Sequence, residues 1–243
     1  MAMLKLCGKT LATFKPIIGE IVIEKVPFYK RHDKIFVTEN INIDCLGYLA
    51  IISTVKPVKN IFMPYIIGNI NKPKLAIFNK GDIVKLQDNG EIFFLWEIRS
   101  NQNALLITES CNCNCLMCPQ PIQKHDQSLY NNASRVLDLL KNKEIDTFCI
   151  IGGEPTLLEN NFINILSRCH DEHSSAQIDI LTNGKKFADT TFTSKITNIH
   201  SCKDIFCVSL HSDIDSIHDK IVGCKDSYIN TITGIYNLAK KKF

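Results

Sequence analysis

The chain has 243 residues, 45% of them hydrophobic and 22% charged, with a formal net charge of +3. That is length for one or two domains with a buried core, and the charge is too small and too scattered to imply nucleic acid. No apolar run approaches the roughly 20 residues of a membrane span. Residues 1–15 carry Lys5, Lys9 and Lys15 among their apolar positions, without the apolar run and cleavage site of a signal peptide. A cytoplasmic location is the expectation.

Residues 1–102 read as a small, mostly β domain. Short β-branched and aromatic runs at 20–26, 34–38, 48–54, 74–78, 82–86 and 91–98 alternate with turn residues. Gln87-Asp88-Asn89-Gly90 between the last two is a hairpin turn, because Asn and Gly tolerate positive φ. No catalytic motif stands out here.

Residues 103–243 change to a strand–loop–helix repeat. Strands are predicted at 104–108, 147–151, 177–181 and 205–210. Helices are predicted at 132–143, with Asn131 as cap, at 161–170, within 187–197, and at the end, where Ile229, Ile232, Tyr236 and Ala239 recur at helical spacing. Four successive β–α units imply a parallel sheet with right-handed crossovers. In such sheets reactive groups collect beyond the C-terminal strand ends. The cysteine-rich stretch, residues 152–156, 182–184 and 209–212 all fall there.

Four of the eleven cysteines lie within the eight residues CNCNCLMC. Cys111 and Cys115 are separated by three residues, Cys115 and Cys118 by two. Such a loop can give three thiolates to three irons of a cubane cluster and leave the fourth iron open. Asn112 and Asn114 suit a tight loop through local side-chain bonds or the left-handed region. Zinc is the competing reading, with Cys115, Cys118 and the nearby His125, although no second Cys-x-x-Cys pair exists in the chain. A metal-free loop is the third. Cys113 is surplus to an iron site and is expected to point away from it. Cys149 and Cys207 sit in apolar runs and read as small buried hydrophobes.

The spacing of Cys111, Cys115 and Cys118 directly after a first apolar strand resembles the signature of the radical S-adenosylmethionine (SAM) superfamily. Gly152-Gly153-Glu154-Pro155 after the second strand is similar to that family's Gly-Gly-Glu-Pro motif, and Thr182-Asn183-Gly184 and Ser209-Leu210-His211 resemble its third and fourth strand ends. Residues 103–121 are similar to the C-type radical SAM maturases of His-Xaa-Ser peptide systems. Gly81–Leu86, Leu157-Leu158, Phe187-Ala188, Ser212-Asp213 and His218-Asp219 extend that likeness.

The resemblance implies an α/β fold: a partial (βα) barrel, four of the family's six units being present, preceded by the small β domain. It implies a 4Fe–4S cluster on Cys111, Cys115 and Cys118, and SAM held by Gly152, Gly153 and Glu154, with Met117 near the adenine and Asn183 and Ser209 near the ribose or carboxylate. Glu154 would meet the SAM ammonium. The implied activity is reductive cleavage of SAM to a 5′-deoxyadenosyl radical that modifies a ribosomally made precursor peptide, with an electron donor and a second radical SAM maturase as partners. No separate catalytic residue is assigned.

Because the sequence stops after the fourth unit, it reads as a fragment of a longer frame. An inactive, peptide-binding scaffold and an iron–sulfur electron carrier are the alternatives. Plainer roles exist for the other polar residues: Glu154 as a helix cap, Asn183-Gly184 as a strand-ending turn, and His211 and His218 as surface or helix-start histidines. Arg99 and Arg135 are most simply solvated.

Overall fold

The computed structural model describes residues 5–39, 44–55, 64–68, 75–120 and 127–240. The chain divides into two compact units, Met1–Asn101 and Gln102–Phe243.

The first unit is a closed barrel of seven strands: β1 (Lys5–Thr10), β2 (Ile17–Val22), β3 (Lys34–Val37), β4 (Ala50–Ser53), β5 (Tyr65–Gly68), β6 (Ile83–Leu86) and β7 (Glu91–Trp96). Their order around the barrel is β1-β5-β4-β3-β2-β6-β7. The run from β2 through β3 and β4 to β5 is parallel, and the remaining pairs are antiparallel. Closure leaves no free sheet edge among these strands. The interior holds Ile21, Ile35, Ile52, Ile66, Val84 and Phe94. A second cluster of Phe36, Tyr48, Ile51 and Tyr65 covers the outside of β3 and β4.

The expected hairpin forms: the Gly90 N–H donates to Gln87 O at 3.0 Å, and Gly90 adopts φ +89°. Residues 75–78, expected in a strand, instead form a turn in which the Phe78 N–H donates to Leu75 O at 3.2 Å. The apolar side chains there fill the barrel end rather than a ladder, with Phe78 stacked on Phe94 at 5.2 Å.

The second unit is a four-stranded parallel sheet, β8 (Ala104–Thr108), β9 (Thr147–Gly152), β10 (Gln177–Thr182) and β11 (Asp204–Val208), in the spatial order β11-β10-β9-β8. Spatial order follows chain order, so every C-terminal strand end lies on one edge of the sheet. Helices α1 (Gln127–Leu140), α2 (Asn160–Glu172), α3 (Thr190–Thr197), α4 (Asp215–Val222) and α5 (Ser227–Lys240) follow the strands. Alternate strand residues Phe148, Ile150, Ile178 and Ile180 are fully buried beside Leu137, Phe162 and Leu166 of α1 and α2. The next residues along, including Leu181 and Ile205, remain 44% and 46% exposed.

Helix α1 includes Gln127 and ends at Leu140, so Asn131 lies inside it rather than capping it, and Asn142 turns the chain out at φ +68°. Asp189 caps α3 by accepting the Thr191 and Phe192 N–H groups at 2.9 and 3.2 Å. Helix α4 has no counterpart in the sequence expectations. No helix among the described residues is long and apolar enough to cross a membrane.

Candidate functional site

The loop after β8 carries the cysteines, and it is docked on the C-terminal end of α4. The Asn114 and Leu116 N–H groups donate to Val222 O and Ile221 O, both at 2.9 Å, which satisfies carbonyls the helix leaves free. Gly223 ends α4 at φ +60°, and a Cβ there would stand 2.5 Å from Asn114 O. Only glycine permits this approach. Lys185 ties the same loop from another side: its Nζ lies 2.9 Å from Cys224 Sγ, 3.7 Å from Cys113 Sγ and 3.5 Å from Asn112 O.

All three expected ligands, Cys111, Cys115 and Cys118, line one cavity of about 220 Å³. Gly152 and Gly153 from the end of β9, Asn183 from β10 and Ser209 from β11 line it too, as do His211, His218 and Ser227. Residues from four consecutive strand ends therefore meet around one space.

The neighbouring Cys113 thiol pulls the Cys111 pKa below the ordinary thiol value, against burial. Cys113 itself is held protonated well above the ordinary thiol value, by its hydrogen bond with Cys111 and by burial. The expectation that Cys113 points away is overturned: it is 6% exposed, lines the cavity, and sits 4.0 Å from Ser227 Oγ. Cys115 is pushed up by burial and by neighbouring cysteines. Asn112 and Asn114 keep negative φ. Asn112 contributes instead through Oδ1, which accepts the Asn183 amide at 2.8 Å. His125 lies outside the described residues.

Three thiols of one loop lining one cavity suit an iron–sulfur cluster in donor type. Among the described residues no three Cys, His, Asp or Glu side chains are gathered at metal-binding distance. The thiols share a wall without converging on one point.

Glu154 is placed differently from expectation. It is fully buried and absent from the cavity wall. Its Oε1 accepts Thr156 N–H at 3.1 Å, Thr156 O–H at 2.6 Å and Thr182 O–H at 2.8 Å, and its Oε2 accepts Asn183 N–H at 2.6 Å. Burial is the largest influence and holds its pKa above the ordinary carboxylate value, while these donors pull the other way. The carboxylate is a brace between the β9 and β10 ends, with three donors on Oε1 and one on Oε2.

The paired glycines serve the same closeness. A Cβ at Gly152 would meet Thr108 O at 2.8 Å, and one at Gly153 would meet Ser110 O at 2.5 Å. They let the β9 loop lie against the cysteine loop.

Met117 is 57% exposed and does not line the cavity, because the turn closed by Cys118 N–H on Cys115 O at 3.1 Å turns its two central side chains outward. Asn183 lines the cavity, yet its amide is spent on the cysteine loop through Asn112, and its Oδ1 accepts Lys185 N–H at 3.1 Å. Ser209 lines the cavity, and its N–H continues the ladder to Thr182 O at 3.0 Å. His218, expected as a surface or helix-start residue, is 1% exposed and part of the wall. Lys185 and Gly223 went unremarked in the sequence, since nothing local marks a residue whose partner is a loop some seventy or a hundred positions away.

No family model matches the chain. It is 25% identical over 149 residues to a protein of Methanocaldococcus jannaschii assigned provisionally as a glycyl-radical enzyme activating enzyme, covering 61% of this chain and 57% of that one. Among solved structures it is similar to native anSMEcpe with bound AdoMet and the Cp18Cys peptide, at 22% identity, TM-score 0.41, 57% of this chain and 40% of that one. The chain thus spans about half the length of the curated relative it matches.

Proposed function

We propose that this chain is a radical SAM protein whose cysteine loop holds a 4Fe–4S cluster through Cys111, Cys115 and Cys118, with SAM in the adjoining cavity. The observation that carries this reading is the meeting of those cysteines with Gly152, Gly153 and Ser209, from the ends of parallel neighbouring strands, around one space. The 25% identity to a protein provisionally assigned as a glycyl-radical enzyme activating enzyme agrees with it. On this reading the four-stranded sheet is part of a (βα) barrel.

When bound, such a cluster supplies the electron for reductive cleavage of the C5′–S bond of SAM. The chain's own residues bind and orient. Cys111, Cys115 and Cys118 offer the thiols, the Asn183 amide and the Lys185 ammonium donate to Cys113 Sγ at 3.7 Å, and Lys185 and Gly223 hold the loop on α4. Glu154 fixes the spacing of the β9 and β10 ends. Ser209 presents a hydroxyl to the ligand. The substrate proposed is a ribosomally made precursor peptide, supported by the likeness of residues 103–121 to the maturases of His-Xaa-Ser systems.

Anaerobic reconstitution followed by iron analysis and electron paramagnetic resonance tests the proposal. About four irons per chain, lost in Cys115→Ala, and a reduced-cluster signal that shifts when SAM is added are expected. A signal indifferent to SAM would favour an electron carrier, and a chain without iron would favour a peptide-binding scaffold.

A further inference from the structure

Lys185 leaves the turn after β10 from a fixed base. Its N–H donates to Asn183 Oδ1 at 3.1 Å, and the Thr231 hydroxyl of α5 donates to Asn183 O at 2.9 Å. From there the part-buried side chain runs to the cysteine loop. An ammonium has three N–H donors, and three acceptors surround this one: Cys224 Sγ at 2.9 Å, Asn112 O at 3.5 Å and Cys113 Sγ at 3.7 Å. Asn112 and Cys113 stand between Cys111 and Cys115, and Cys224 follows the glycine that ends α4. Among the described residues Lys185 is the one cation hydrogen-bonded to residues 111–118, and it has no carboxylate partner. The next residue, Lys186, is paired with Glu159 at 2.6 Å. A charge drawn partly out of water ordinarily meets a counter-charge. Here the groups that face the ammonium belong to the loop that carries the thiols.

We propose that Lys185 is a positioning residue for the iron–sulfur cluster, whose ammonium holds the cysteine loop and makes the cluster easier to reduce. The cluster itself rests on the function proposed above. Three thiolates make such a site anionic, and reduction adds one more electron to it. A fixed cation beside the loop favours the more negative state, so the reduction potential rises. Lys185 acts through Asn112 and Cys113 and leaves Cys111, Cys115 and Cys118 for iron.

Redox titration of the anaerobically reconstituted full chain, followed by the electron paramagnetic resonance of the reduced cluster, tests this. Lys185→Met keeps the reach of the side chain and removes its charge. At the wild-type midpoint its ratio of reduced to oxidised cluster should be about ten-fold lower, a shift of about 59 mV for one electron. Lys185→Arg should keep that ratio within about three-fold of wild type, because the charge remains. The difference between wild type and Lys185→Met should shrink as ionic strength is raised. Iron per chain is measured in each preparation. Should Lys185→Met hold none, Lys185→Gln, whose amide keeps a donor for the loop, is titrated in its place with the same expectation. An uncharged variant with the wild-type midpoint, or an equal fall in Lys185→Arg, would overturn the proposal. Failure of the wild-type chain to form a cluster would instead overturn the functional reading beneath it, so the two failures are distinguishable.

Discussion

The two units differ in how completely they pair their buried polar groups. In the barrel, Asp82 is fully buried and accepts Asn79 N–H at 2.7 Å and Ile98 N–H at 2.9 Å, stapling the entry of β6 to the exit of β7. Arg31, 3% exposed, donates to Val26 O at 2.9 Å and to Asp44 and Leu46 O at 2.8 Å, with Tyr48 under its guanidinium at 4.7 Å. Both are consumed by their own unit. In the second unit Glu154 is consumed the same way, but Ser110 Oγ, Glu172 Oε2, His173 Nε2 and His218 Nε2 are buried without a partner for that atom among the described residues, and of these residues only His218 lines the cavity. The difference is one of stability: the barrel's buried polar groups are fully paired among the described residues, while the second unit leaves several unpaired.

The largest effects should come from the cores and leave the site's composition alone. Ile52→Ala in the barrel and Ile180→Ala in the sheet each remove a fully buried side chain and should cost about 2–5 kcal/mol in urea unfolding. The folded fraction of Ile52→Ala should still take up iron as wild type does. Loss of iron uptake by that fraction would show that the barrel takes part in the site.

A pair of glycines sharpens the contrast. Gly90→Ala would put a Cβ onto Gly8 O in the barrel, and Gly223→Ala would put one 2.5 Å from Asn114 O beside the cysteines. Both positions have positive φ, so each substitution should destabilise by about 1–3 kcal/mol. Only Gly223→Ala should also lower iron per folded chain, measured by colorimetric iron assay. Equal iron in the two variants would remove α4 from the role of loop support.

Glu154→Gln replaces an all-acceptor group by an amide. Whichever way it is turned, its NH₂ faces a backbone N–H, of Thr156 or of Asn183, that the carboxylate accepted. A loss of about 2 kcal/mol is expected, read as a lowered urea midpoint. A variant as stable as wild type would mean the carboxyl is not a brace.

The smallest effect is a pH dependence. His173 and His218 both have folded pKa values below the ordinary histidine value, through burial first. The unfolded chain then binds more protons, so their contribution is full above about pH 6.5 and is lost as pH falls through and below that value. Glu154 runs the other way, since its raised pKa favours the folded state at lower pH. Urea midpoints at pH 8 and 5.5 should show the decline, and His173→Phe should flatten it. An unchanged slope would assign the decline elsewhere.

Much of the second unit was legible because its signals are local. Apolar runs end in Gly152-Gly153 and in Asn183-Gly184, and the cysteine spacing is written in consecutive residues. The barrel was harder. Strand β1 mixes Lys5, Gly8 and Lys9 into its ladder, and β4 is buried at every position, which erases the two-residue period. Helix α4 is eight residues long and exposes Ile217, so its amphipathic stripe is short. Whether Glu154 faces a ligand or its neighbours, whether Met117 faces in or out, and whether His218 is buried are settled by contacts between strand ends. No local pattern encodes them.

The most direct test of the account is release of 5′-deoxyadenosine from the reconstituted chain given SAM and a strong reductant, followed by chromatography beside a Cys115→Ala control. The account predicts release by the wild-type chain and none by the variant. A wild-type chain that holds its iron–sulfur cluster, binds SAM and still releases no 5′-deoxyadenosine would contradict it.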